Sequence, residues 1–187
     1  MRLVHREHTS RPRRVVLLCD VSGSMEPYAR ALLLFLHVAV AGQGRVEAFA
    51  VGTRLTRLTR QLSSRDPDAA LRQAIDQVLD WSGGTRLGEG ISTFNDRFGM
   101  PGMARGAIVV ILSDGLDQGD PSLLAGEMAR LHRAAHQTIW VNPLKASEGY
   151  EPLARGMAAA LPHIDQFVEG HSAASLDALV SVIAAHE

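Results

Sequence analysis

Two stretches of this chain, RRVVLLCD (13–20) and GAIVVILSD (106–114), are continuous apolar runs that each close on an aspartate. A run with no polar alternation must be buried on both faces, the environment of a central strand in a parallel sheet covered by helices. The terminal carboxylates then fall at the carboxyl ends of such strands, where open α/β sheets build their ligand sites.

The rest of the sequence fits that frame. RVEAFAVG (45–52) reads as a second buried strand, and QTIWVN (137–142) and IDQFV (164–168) as two shorter ones. TRLTRLTRQL (53–62) alternates Leu with Thr and Arg, the pattern of a half-exposed edge strand paired antiparallel to its neighbour. Helices are expected over 25–41, apolar nearly all round and therefore largely buried, and over 67–81 and 121–135, opened by the caps Asp66-Pro67 and Asp120-Pro121. Further helices are expected from the glycines at 83–90 to Phe98, over 153–160 and over 173–186, with an irregular segment at 143–152. The spacing predicts an α/β fold: a doubly wound, mainly parallel six-stranded sheet with one antiparallel edge strand and helices on both faces. Residues 1–12 lack periodicity and read as a tail or linker, leaving 13–187 as one domain, the size expected of a 187-residue chain.

Composition narrows the function classes. Nineteen Lys and Arg against 20 Asp and Glu give a net charge of −1, which disfavours a general nucleic-acid binder. Cys19 is the only cysteine, so disulfide frameworks and CxxC metal pairs are excluded. The basic N-terminus has no apolar core of a secretory signal, and ALLLFLHVAVA (31–41) falls short of the roughly 20 residues that span a bilayer. A soluble, cytoplasmic protein without a membrane span is expected.

Three loops carry chemistry: Asp20-Val-Ser22-Gly-Ser24 after the first strand, Gly83-Gly84-Thr85-Arg86-Leu87-Gly88 between two helices, and Ser113-Asp114-Gly115 after the strand at 106–113. In an extended loop, alternate residues point the same way, so Asp20, Ser22 and Ser24 can converge. Asp20, Ser22, Ser24, Thr85 and Asp114 offer two carboxylates and three hydroxyls, hard oxygen donors that suit Mg²⁺, Mn²⁺ or Ca²⁺ and suit zinc or copper poorly. Two carboxylates balance a divalent cation, and an open coordination position would accept an anionic oxygen from a partner's Asp or Glu. Taken singly, Asp114 reads equally as an Asx-turn and Ser24 as a helix cap.

DxSxS, the threonine of GGTRxG and the aspartate of SDG together resemble the metal ion-dependent adhesion site of von Willebrand factor A domains. AVGTRLTRLTR (50–60), WSGGTRLGEG (81–90), ILSDGLDQGDP (111–121) and NPLKASEGYEPLARGM (142–157) extend the resemblance to the CoxE-like subgroup, over about residues 13–185. That subgroup includes proteins associated with carbon monoxide dehydrogenase maturation. The resemblance implies that Ser22, Ser24 and Thr85 contact magnesium through their hydroxyls, with Asp20 and Asp114 acting directly or through water. It also implies partnership with a MoxR-type AAA+ ATPase, the pair maturing or inserting a metal cofactor in a client enzyme. CoxE-like proteins usually carry a further helical region ahead of this domain, where this sequence has about a dozen residues.

Competing chemistries fit less well. A haloacid dehalogenase-type phosphatase needs a second acid where Ser22 stands, a serine hydrolase needs GxSxG around its nucleophile, and no GxxxxGK[ST] phosphate loop is present. The remaining enzymatic alternative is a metal-dependent hydrolase using the same oxygen cluster, for which Glu26 and Glu89 are the nearest general bases by sequence. Of the eight histidines, His37 falls in a buried helix, while His132 and His136 lie one turn apart on what reads as a solvated face. Arg54, Arg57, Arg60 and Arg65 form a stripe that would blunt an edge strand, or secondarily meet an acidic partner. The expectation is a metal-dependent protein-binding module with no catalytic residue and no organic cofactor.

Overall fold

The computed structural model describes residues 13–42, 45–78, 84–145, 151–152, 154–170, 174–176 and 179. Among them, β1 (Val15–Asp20), β2 (Val46–Val51), β3 (Leu55–Arg57), β4 (Ile108–Leu112), β5 (Gln137–Asn142) and β6 (Gln166–Glu169) form one sheet in the order β3-β2-β1-β4-β5-β6. All neighbours run parallel except β3, which pairs antiparallel with β2. The expected doubly wound sheet with one antiparallel edge is therefore the observed fold.

The uninterrupted hydrophobicity of β1 has a direct structural cause. Val15, Leu17 and Cys19 point to one face, against Leu32, Leu33 and Leu36 of α1 (Ala29–Gly42) and Ala74 of α3 (Pro67–Gln77). Val16 and Leu18 point to the other, against Leu87, Ile91 and Phe94 of α4 (Leu87–Phe94) and Leu124, Met128 and Leu131 of α5 (Pro121–Ala134). Each such buried leucine contributes about 1.5–3 kcal/mol relative to exposure. Asp66 and Asp120 cap α3 and α5 as expected, accepting from the amides of Asp68 and Ser122, with proline following each.

Several boundaries differ from the sequence reading. Proline at 27 and the tight turn after β1 wind Gly23–Tyr28 as a 3₁₀ helix, so α1 starts at Ala29 instead of residue 25. That helix is not buried all round: Leu34 and Val38 are exposed while Leu32, Leu33, Phe35, Leu36, His37 and Val40 are buried. The edge strand expected over 53–62 is only three residues long, because Leu58 and Leu62 turn into the core as the chain winds into α2 (Thr59–Leu62). The arginine stripe therefore breaks up, with Arg57 on the strand and Arg60 on α2. The helix expected to run to Phe98 changes character at Asn95 and continues as a wide π-helical turn through Met103. α6 (Arg155–Ala160) and a 3₁₀ turn (Leu161–His163) precede β6. The expected tail at 1–12 and residues 146–150 of the irregular segment lie outside the described residues; of the expected C-terminal helix only 174–176 and 179 are described, as helix. Among the described residues, no helix is long and apolar enough to cross a membrane.

Candidate metal centre

β1 and β4 are adjacent, yet the chain leaves them toward opposite sides of the sheet: β2 lies beyond β1, and β5 beyond β4. Such a reversal opens a crevice at the carboxyl ends of the two strands. Asp20 is the last residue of β1, and Ser113 and Asp114 follow β4 directly. Thr85 arrives from the loop that leads into α4.

Asp20 organises the site. Only 2% of its surface is exposed, and its Oδ1 accepts hydrogen bonds from the Thr85 hydroxyl at 2.7 Å and from the Ser22 amide at 2.9 Å. Its Oδ2 accepts from the Ser113 hydroxyl at 2.6 Å. Burial drives the carboxyl pKa up; the hydrogen bonds from Ser113, Thr85 and Ser22 oppose that shift without overcoming it. The charged form of the carboxyl is thus disfavoured where it stands. The hydroxyls of Ser22 and Ser24 meet at 3.0 Å, Ser22 buried and Ser24 exposed. Ser24 is not the helix cap that one sequence reading allowed: Ser22 stands at the start of the 3₁₀ helix, with no side-chain cap, and α1 begins later.

Asp114 is buried in the loop after β4, where its Oδ1 accepts from the Leu116 amide at 3.0 Å in an Asx-turn, and the Asn142 side-chain amide donates to its carbonyl at 3.1 Å. Hydrogen bonds thus tie Asp20, Ser22 and Thr85 into one cluster and add Ser24 through Ser22. Asp114 has no hydrogen bond to that cluster among the described residues; it adjoins it through Ser113. Gly115, at φ +77°, turns the chain sharply past Met157, a conformation that only glycine adopts without cost.

Two functional residues escaped the sequence reading. Ser113 was visible only as a neighbour of Asp114; its hydroxyl bridges Asp20 Oδ2 and the Gly115 amide. Its carbonyl is held by the indole of Trp140 on β5 at 2.8 Å. Asp117 is the second. Arg86 precedes α4 and offers no side-chain cap, and Asp117 Oδ1 fills that role from another loop, accepting from the Leu87 amide at 2.8 Å and the Gly119 amide at 3.1 Å. With the Gln118 amide donating to the Thr85 carbonyl at 3.1 Å, the Thr85 loop is locked to the loop after β4. The signal in the sequence was an acid three residues beyond Asp114 in a Gly-rich turn.

The donor set fits a hard cation. Among the described residues no group of three or more His, Cys, Asp or Glu gathers in metal-binding fashion, so a site here would rely on hydroxyls beside two carboxylates. No ion pair among the described residues involves Asp20 or Asp114. Of the two glutamates weighed as general bases, Glu26 is exposed and Glu89 is exposed and paired with Arg86 at 3.0 Å. His132 is not simply solvated: its Nδ1 lies 3.2 Å from the Thr138 hydroxyl and 3.4 Å from Asp165.

Comparison with solved structures places the fold among von Willebrand A domains. A von Willebrand factor type A protein from Catenulispora acidiphila superposes with a TM-score of 0.66 at 16% identity, over 94% of this chain and 43% of that one. Proximal thread matrix protein 1 from the mussel byssus, described with a zinc-occupied MIDAS motif, matches at 0.58 and 14% identity over 92% of this chain and 47% of its own. Manganese-loaded TRAP protein of Plasmodium vivax matches at 0.58 and 14% identity, over 94% and 73%. The chain thus spans less than half the length of the first two, and at these identities the likeness establishes the fold alone. No curated protein sequence matches. The sequence matches the family described as "VWA domain containing CoxE-like protein" over residues 1–176. A mainly parallel sheet that gathers Asp20, Ser22, Thr85 and Ser113 at the ends of β1 and β4, and a family match over most of the chain, lead to one assignment: the chain belongs to the CoxE-like family of von Willebrand A domain proteins.

Proposed function

We propose that the chain is a protein-binding module that works through a divalent cation held by Asp20, Ser22, Ser24, Thr85 and Asp114. The observation that carries this reading is the buried Asp20 carboxylate, which collects donors from three segments but has no cationic partner among the described residues. A buried charge left without a counter-charge costs several kcal/mol, and a bound cation removes that cost. The Thr85 hydroxyl spends its proton on Asp20 and keeps its lone pairs for a cation. Mg²⁺ is the ion that this donor set favours, and Mn²⁺ and Ca²⁺ share the preference for oxygen. When bound, the cation supplies a Lewis-acidic position for a carboxylate of the partner. Von Willebrand A domains serve in general as interaction modules, which supports binding in preference to hydrolysis.

The partner that the family resemblance suggests is a MoxR-type AAA+ ATPase, with the pair acting in maturation or metal-cofactor insertion of a client metalloenzyme. The test is affinity purification of the tagged chain from its host, as wild type and as Asp20→Asn, in Mg²⁺ and in EDTA. An AAA+ ATPase retained by wild type in Mg²⁺ and lost both in EDTA and in the variant is the expected result. Retention of that ATPase regardless of metal and of Asp20 would overturn the metal bridge.

A further inference from the structure

A second surface lies away from the crevice, at the β3 edge of the sheet. β3 closes the strand order on that side. The Leu58 amide donates to the Ala48 carbonyl and the Gly52 amide to the Arg54 carbonyl, so residues 54, 56 and 58 turn their backbone toward β2. By strand alternation, the backbone N–H and C=O groups of Leu55 and Arg57 face outward, the arrangement that accepts an added strand. Beside them a groove of about 560 Å³ opens between β3 and α4.

The groove's side chains define what fits. Arg54, Arg57 and Arg97 line it, and the Phe98 ring forms a half-buried floor with the guanidinium carbons of Arg57 and Arg97 at 5.9 and 5.5 Å from its centroid. Arg57 is partly neutralised by Glu47 at 2.7 Å, and the one acid in the lining, Glu89, is paired with Arg86. Arg54 and Arg97 form no ion pair among the described residues, so the groove carries uncompensated positive charge over an aromatic floor.

We propose that this groove docks an acidic, extended segment of a partner protein, which adds to the outer edge of β3 while its carboxylates meet Arg54 and Arg97. Main-chain pairing would supply affinity, and alternate side chains entering the groove would supply specificity. A nucleic acid would satisfy the arginines but not the outward amide and carbonyl groups of Leu55 and Arg57. The surface is independent of the cation site, since none of its residues belongs to the Asp20 cluster.

The probe is a fluorescein-labelled peptide of alternating glutamate and valine, followed by anisotropy. Wild type should bind it saturably, more weakly as salt rises, and equally well in EDTA or as Asp20→Asn. The double variant Arg54→Glu/Arg97→Glu, both sites exposed, should lose about tenfold or more in affinity. A peptide of equal charge with proline at alternate positions should also bind about tenfold more weakly, because proline removes the ladder donors. On wild type itself, peptide should slow hydrogen exchange at the Leu55 and Arg57 amides. The proposal fails if the peptide does not bind, if the double variant or the proline peptide binds as well, if exchange at those two amides is unchanged, or if a single-stranded oligonucleotide binds more tightly and displaces the peptide.

Discussion

Replacing Asp20 by Asn removes one charge and almost no volume, and the geometry dictates how the amide sits. The Ser22 amide can only donate, so the asparagine oxygen must take the Oδ1 place, keeping the 2.9 Å bond from Ser22 and the 2.7 Å bond from Thr85. The amide nitrogen then takes the Oδ2 place, and the Ser113 hydroxyl rotates from donating to accepting. Ser113 Oγ already accepts from the Gly115 amide at 3.0 Å, and its two lone pairs suffice for both. Three charge-assisted bonds become neutral, each weaker by about 1 kcal/mol, while the burial penalty that raises the Asp20 pKa disappears. These changes oppose each other, so without divalent cation the variant should unfold within about 2 kcal/mol of wild type.

The two proteins should differ in their response to cation and to pH. At a cation concentration about one hundred times its Kd, linkage stabilises the wild-type fold by about 2.7 kcal/mol. For a domain of this size that raises Tm by about 5–11 °C. Asp20→Asn should show almost none of it. In EDTA, the wild-type carboxyl holds its proton more tightly when folded than when unfolded, so its contribution is favourable below the ordinary carboxylate range. That contribution is lost as pH rises through the raised native value. Wild type should therefore lose stability relative to Asp20→Asn on going from acid toward neutral pH. Differential scanning calorimetry in EDTA, Mg²⁺ and Mn²⁺ measures both effects. An equal Tm rise in the two proteins, or a wild-type Tm indifferent to either cation up to millimolar concentrations, would refute the reasoning.

Three further substitutions probe the scaffold around the crevice. Gly115→Ala places a Cβ 2.9 Å from that of Met157 at a φ of +77°, and should cost about 1–3 kcal/mol in urea unfolding. Asp117→Ala removes the acceptor for the Leu87 and Gly119 amides; it should cost about 1 kcal/mol and, by freeing the Thr85 loop, weaken Mn²⁺ binding measured by calorimetry. Trp140→Phe leaves the Ser113 carbonyl without its indole donor and opens a void in a fully buried site, so a loss of about 2–3 kcal/mol is expected by urea melt.

The split between what was legible in the sequence and what was not follows from the range of the interactions. β1 and β4 were readable because burial on both faces demands unbroken apolar runs, and the caps at Asp66 and Asp120 because each bonds an amide two residues away. The antiparallel edge was legible in kind but not in length: Leu58 and Leu62 suited an alternating strand equally well, and only the core beneath α2 drew them inward. Ser113 and Asp117 act across 93 and 30 residues of chain, on Asp20 and on the Leu87 amide, and nothing local distinguishes a serine that bridges two loops from one that faces water. The same holds for Arg54 and Arg97, which no sequence stripe joins and which meet only because α4 runs on through its π-helical turn beside β3. Motif spacing thus points to which residues can ligate, whereas the residues that hold those ligands in place become visible only once β1, β4 and the α4 loop are brought together. If that division is correct, Asp117→Ala should weaken cation binding without removing any proposed ligand, and cation affinity unchanged in that variant would show that the Thr85 loop needs no such support.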